Sequence, residues 1–119
     1  MKRYTIDNVK NYKQYKNWIC GHFLPEKYIQ KNSDFEVKFS TNVPGHTEKE
    51  HFHPEGKEIC IVIEGELKMK IDGKESILKE GDFLYSEGGI CEEVLETIKP
   101  YKIITVRVPS IPSNKKYIK

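Results

Sequence analysis

The chain has 119 residues, enough for one domain with a single core. Twenty Lys and Arg stand against 18 Asp and Glu, a net charge of +2, and the only arginines are Arg3 and Arg107. That balance argues against nucleic-acid binding driven by bulk charge, and no stretch approaches the ~20 apolar residues of a membrane span. The three cysteines, Cys20, Cys60 and Cys91, are odd in number and lack CxxC spacing, so neither a disulfide framework nor a zinc knuckle is expected. Met1 to Trp18 is polar and Lys-rich, without the apolar run of a signal peptide. These features predict a soluble protein of the reducing cytoplasm, with no nucleic-acid or membrane partner.

Residues 1–33 read as an N-terminal extension. Asn8 to Trp18 is expected as a short helix with Val9, Tyr12 and Tyr15 on one stripe, and Trp18 to Leu24 as a short strand ended by Pro25. Residues 34–108 read as strands. Phe35, Val37 and Phe39 alternate with Glu36, Lys38 and Ser40, as in a half-buried strand. Glu58 to Glu64 is a β-branched run suited to burial on both faces, and Gly65 breaks it. Leu67, Met69 and Ile71 form the next alternation, Asp72-Gly73 is a hairpin turn, and Glu75 to Leu78 returns. Phe83 to Tyr85, Glu92 to Ile98 and Tyr101 to Val108 complete the series. Residues 109–119, with Pro109 and Pro112, are expected as a flexible tail. Many short strands with regular turns predict an all-β antiparallel sandwich or barrel.

Metal-capable side chains concentrate in HTEKEHFHPEGKE, His46 to Glu58. His51 and His53 alternate with Phe52, so a strand puts both imidazoles on one face. The turn Pro54-Glu55-Gly56-Lys57 can bring Glu58 beside them. Two imidazoles and a carboxylate suit one divalent transition metal: Fe, Mn, Zn, Ni or Co. An isolated H-x-H pair is more often two surface histidines, so the argument rests on the wider spacing.

That spacing is Gly45, five residues, His51, one, His53, four, Glu58, six, Gly65. It resembles the first motif of the cupin superfamily at every fixed position. The second motif is matched at Gly81 and Gly89, but its Pro, His and Asn positions hold Glu87, Glu92 and Glu96. The resemblance, spanning Asp34 to Val108, implies a double-sheet, jelly-roll-like barrel with a metal near one mouth. It places Glu92 where the family carries its fourth ligand, His. Glu92 is then either a ligand or a free general base, unless a register slip gives that place to Glu93.

Tyr85 precedes the second-motif turn and is a candidate to offer its hydroxyl to a substrate. Arg107 shares strand parity with Thr105 and Ile103. If that face lines the cavity, Arg107 is a substrate anchor for a carboxylate or phosphate; otherwise it is a surface charge. His22 and His46 read as structural or turn residues, Cys60 as a small buried residue on the parity of Glu58, and Cys91 as packed on the opposite side. Cupins host many reactions, so fold does not choose one. The expectation is a metal-dependent enzyme acting on a small polar molecule, by sugar-like isomerisation or epimerisation or by O₂-dependent oxidation. The alternatives are a ligand-sensing module and a structural barrel stabilised by metal. Exposed sheet edges, with Trp18 to Phe23 available for pairing, and the dimers common among related cupins predict a two-fold homodimer.

Overall fold

The computed structural model describes residues 3–118. A 3-10 helix, Val9–Tyr15, is followed by eight strands: β1 (Trp18–Cys20), β2 (Glu36–Asn42), β3 (Glu48–Phe52), β4 (Lys57–Ile71), β5 (Lys74–Lys79), β6 (Phe83–Glu87), β7 (Glu92–Val108) and β8 (Lys116–Tyr117). All strand pairs are antiparallel. No described helix is long and apolar enough to cross a membrane.

Two long strands organise the rest. The N-terminal half of β7 pairs with β3, and its C-terminal half with β2. Strand β4 pairs with β7 from Lys57↔Val108 to Ile71↔Glu92. The register slips three times between Val62 and Leu67, where both strands turn from one layer into the other. One layer is therefore β1-β2-β7-β4-β6, and the other is β8-β3-β7-β4-β5. The result is a double-sheet β-barrel. Its core holds Val62, Leu67, Met69, Leu78, Val94, Tyr101 and Ile103, drawn from both layers.

The sequence divides β4 and β7 into two strands each, whereas the fold keeps each continuous. The reason lies at Gly65, which bulges rather than breaks. Its φ is +92°, and a Cβ there would run into the carbonyl oxygen of Pro100 and the backbone of Tyr101.

The ends of the chain also differ from expectation. The helix is shorter and tighter than Asn8 to Trp18. Asn8 caps it by accepting from the Lys10 amide at 2.9 Å, and Lys16 ends it in the left-handed region at φ 55°. Tyr12, its one buried residue, leaves helical geometry and bonds to Asp7 and Gln30. Residues after Pro109 are not a loose tail. Ser110 is 2% exposed, and β8 pairs with β3 through His51↔Tyr117.

The first strand of the barrel is inverted relative to the simplest reading of its alternation. Glu36 is 3% exposed while Phe35 is 40% exposed. Glu36, Lys38 and Ser40 face the interior, and Phe35, Val37 and Phe39 the outside. The same holds across the layer, where Ile61, Ile63, Phe83, Tyr85 and Val108 are exposed on the outer face. The β-branched run of β4 is thus buried on one face only.

Gly65→Ala should lower unfolding free energy by more than about 2 kcal/mol, combining left-handed strain with backbone overlap. Gly45 has positive φ but open space around it, so Gly45→Ala should cost only about 1 kcal/mol. Urea titration of both variants measures the difference, and equal losses would contradict the bulge argument.

Candidate metal centre

His51 is the next-to-last residue of β3 and His53 lies just past its end, so both rings point inward, with centroids 5.3 Å apart. Each ring is oriented by a backbone carbonyl. His51 Nδ1 donates to Lys49 O at 2.8 Å, and His53 Nδ1 to Asn114 O at 2.7 Å. These bonds fix the tautomer and leave both Nε2 lone pairs directed into the site. Asn114 belongs to the C-terminal segment, so that segment is part of the site's support. Burial, and then the nearby Arg107 cation, lower the His53 pKa and keep the ring neutral.

Two carboxylates reach the same place from β4 and β7. Glu92 pairs with His51 in register and with Ile71 on its other side. One ligand atom each from His51, His53 and Glu92 lies within 4.8 Å of the others. Glu92 Oε2 is 3.9 Å from His51 Nε2, and Ser86 Oγ donates to Glu92 Oε1 at 3.5 Å. Glu58 Oε2 is 3.9 Å from His53 Nε2. The other Glu58 oxygen accepts from Arg107 Nε and the Cys60 thiol, both at 3.3 Å. The tightest group is therefore His51, His53 and Glu92, with Glu58 beside it and partly committed to Arg107. Glu93, next to Glu92, pairs across β4 with Lys70 and has the opposite parity.

The donor set fits a transition metal. His53 Nε2 and Glu58 Oε2 are buried and have no hydrogen-bond partner among the described residues. Buried polar atoms without partners are costly, and a cation held by His51, His53, Glu92 and Glu58 would satisfy both. Without one, the two carboxylates repel. Burial, and then Glu58, raise the Glu92 pKa to about 8.

Arg107 faces the interior, where Nη1 donates to Glu36 Oε2 at 3.0 Å and Nε donates to Glu58. Its guanidinium also lies 5.2 Å from the Trp18 ring centroid. Ser110 Oγ donates to the other Glu36 oxygen at 2.8 Å, and His22 Nδ1 is 2.7 Å from the same hydroxyl. Arg107 is thus already engaged as a half-buried clamp on two carboxylates, rather than standing free for a substrate. The expectation for Tyr85 is corrected. Its side chain is 51% exposed on the outer face, because Ser86 takes the inward parity at that point of β6. Its hydroxyl is 3.4 Å from Glu87. His46 sits apart, with Nε2 3.2 Å from Glu48. Cys60 lines the interior, and burial, with Glu58 next to it, raises its thiol pKa well above the usual value. It therefore stays protonated.

The centre opens on a cavity of about 540 Å³ lined by both layers. Polar groups reach it from β2, β3 and β7, and Leu67, Met69 and Ile103 supply apolar wall. The inward row Glu36, Lys38 and Ser40 is the part that sequence reasoning missed. One signal was present: charged side chains on two strands whose polar positions are complementary, Glu36 opposite Arg107.

A family model described as a cupin domain matches residues 39–93. That matched segment is just under half of the chain. The chain is similar to an uncharacterized conserved protein with a double-stranded beta-helix domain from Klebsiella pneumoniae, at 24% identity and a TM-score of 0.65, covering 72% of this chain and 71% of that one. It is similar to KdgF from Halomonas sp. at 16% identity and a TM-score of 0.62, covering 68% and 74%. It is also similar to the DMSP lyase DddQ from Ruegeria pomeroyi at 16% identity and a TM-score of 0.64, covering 73% of this chain but only 44% of the lyase. These likenesses establish the fold. No curated protein matches the chain.

Glu92 lies near 4.5 in its ordinary state and about 8 in the metal-free fold. Between those values the folded chain holds a proton that the unfolded chain has released, so stability falls as pH rises. Metal-free protein should melt at a lower temperature at about pH 8.5 than at about pH 5.5. Glu92→Gln should flatten that slope. A wild-type melting temperature that climbs across this window would contradict the shared-proton arrangement.

Proposed function

We propose that this chain is a metal-dependent cupin enzyme acting on a small polar molecule bound in the barrel cavity. The observation that carries the reading is the convergence of unpartnered, buried ligand atoms, His53 Nε2 and Glu58 Oε2, beside the Nε2 of His51 and the carboxylate of Glu92. A divalent metal there would supply Lewis acidity or, if redox-active, a place for oxygen chemistry. The chain's own groups do the rest. Lys49 O and Asn114 O hold the imidazoles in one tautomer. Arg107 and the Cys60 thiol both donate to Glu58 Oε1 and orient the carboxylate, so Oε2 stays available. Ser86 steadies Glu92 by donating to its Oε1.

The two chemistries favoured are isomerisation or epimerisation of a sugar-like substrate and O₂-dependent oxidation. A similar fold in a salicylate 1,2-dioxygenase from Pseudoaminobacter salicylatoxidans is compatible with the second. The dioxygenase match is 13% identical and covers 20% of that chain, so it bears on fold alone.

The test has two linked parts. Elemental analysis after gentle purification should find about one transition metal per chain, with His51→Ala and His53→Ala each losing most of it and Glu92→His retaining it. The metal-loaded protein is then incubated with a panel of sugars and keto acids, following deuterium uptake from solvent and oxygen consumption. Metal-dependent turnover that disappears in His51→Ala supports the enzyme. Full metal with neither signal across the panel favours a ligand-holding or structural barrel, and no metal binding at all removes the reading.

We also infer that a second copy covers the outer face of the β2-β7-β4-β6 layer. Phe35, Ile61, Ile63, Phe83 and Val108 are exposed there in one flat sheet surface, with Val37, Phe39, Ile104 and Val106 half-buried among them. A contiguous apolar surface of this kind is costly in water, and a two-fold pairing of identical faces closes it. The interface suggested by the sequence, the Trp18 to Phe23 segment, is less suitable. Trp18 is buried and stacked on Phe23 with centroids 4.1 Å apart. Light scattering at ~50 μM should give a dimer, and Ile61→Glu with Phe83→Glu a folded monomer. A wild-type monomer at that concentration would refute the pairing.

A further inference from the structure

Of the three inward side chains on β2, Glu36 is consumed by Arg107 and Ser110. Lys38, the next inward position, is not consumed. It pairs in register with Thr105, so its side chain enters the same cavity that His51, Glu58 and Glu92 line. Its ammonium lies 5.5 Å from the Trp18 ring centroid. Among the described residues it makes no hydrogen bond and no ion pair within 4 Å. The carboxylate with the largest effect on it is Glu48. That carboxylate is already 3.2 Å from His46 Nε2. Burial lowers the Lys38 pKa, the expected effect of withdrawing an ammonium from water without a partner. A half-buried, unpaired cation in a cavity is a cost to folding that a ligand anion would offset.

The charge inventory points the same way. The cations lining the cavity are Lys16, Lys38, Arg107 and Lys115. The carboxylates are Glu36, Glu48, Glu58 and Glu92. With all four carboxylates ionised, as metal binding requires of Glu92, the two sets balance, so a divalent ion leaves the cavity with an excess of about two positive charges. Arg107 is tied to Glu36 and Glu58, and Lys16 and Lys115 are exposed. Lys38 is the lining cation that is both half-buried and uncommitted.

We propose that Lys38 anchors an anionic group of the ligand, and that the ligand is a small organic carboxylate lying between the metal centre and the Lys38 ammonium. This rests on the metal reading above and adds the ligand class. A carboxylate suits the site better than a phosphate. One ammonium, flanked by the Ser40 and Thr105 hydroxyls, matches a monoanion, whereas phosphate sites gather several donors or an uncommitted Arg fork. The apolar wall of Leu67, Met69 and Ile103 accommodates the carbon chain.

The test is calorimetric titration of Zn(II)-loaded protein with malonate, succinate, glutarate and adipate, with butyramide as neutral control and inorganic phosphate as the competing anion. At least one dicarboxylate should bind, butyramide should not, and Lys38→Met should weaken binding by at least about tenfold. Lys38→Arg should recover part of that loss. Lys38→Met should melt at or above the wild-type temperature, because it removes an unpaired cation and leaves the fold intact. Zinc content read on the same samples separates the two proposals. Full zinc with no dicarboxylate bound, equal binding by wild type and Lys38→Met, or a preference for phosphate overturns the carboxylate anchor. Missing zinc alone overturns the metal reading, and binding that still depends on Lys38 then supports the anchor.

Discussion

The pairing of β4 with β7 is the constraint on which the rest of this molecule depends. Both strands cross from one layer to the other, and they do so opposite each other, at Gly65 and Pro100. A sheet can fold over in this way only where one strand carries no side chain against its neighbour's backbone. Glu58 lies before the bend on β4 and Glu92 before it on β7. Because the strands are antiparallel, the two residues start in different layers, and closure of the barrel brings their carboxylates together. The candidate metal site is thus a consequence of how the sheet folds over.

The interior of this barrel is unusual in how much of it is polar. Glu36, His51, His53, Glu58 and Glu92 are all under 9% exposed. Buried carboxylates are tolerated when each has a partner. Here Arg107 serves two of them, Ser110 and Ser86 contribute hydroxyls, and the imidazoles are held by backbone carbonyls. The atoms left without partners are the ones aimed at a common point. The chain has accepted a less stable core around the cavity and recovers stability in the apolar cluster of Leu67, Met69, Leu78 and Val94 beside it. The cavity therefore has one polar wall and one apolar wall.

The exposed apolar side of the same layer is the complement of that polar wall. In a strand, alternation fixes what one face carries once the other is chosen. Turning Glu36 and Lys38 inward necessarily turns Phe35, Val37 and Phe39 outward. Site chemistry and an adhesive outer surface are therefore coupled through the pleat, and a substitution that slipped β2 by one residue would exchange them.

Much of this was legible in the sequence, for a definite reason. Ligand spacing within one hairpin is a local matter, so His51, His53 and Glu58 follow from strand parity and one short turn. The strand series and the Asp72-Gly73 turn are likewise local signals. The spacing of the second motif also pointed to Glu92, but only by resemblance to a family that carries His there. Tertiary structure alone decided the rest. Alternation reveals that β2 and β6 have two unlike faces without revealing which is inside, so it could neither place Glu36, Lys38 and Ser40 in the cavity nor turn Tyr85 away from it. The C-terminal segment read as a tail because nothing in its own residues marks Asn114 as the acceptor for His53, 61 positions away. The contact that commits one Glu58 oxygen to Arg107 likewise joins strands 49 residues apart in the chain. Contacts over such distances are set by packing of the two layers, and local sequence carries no record of them.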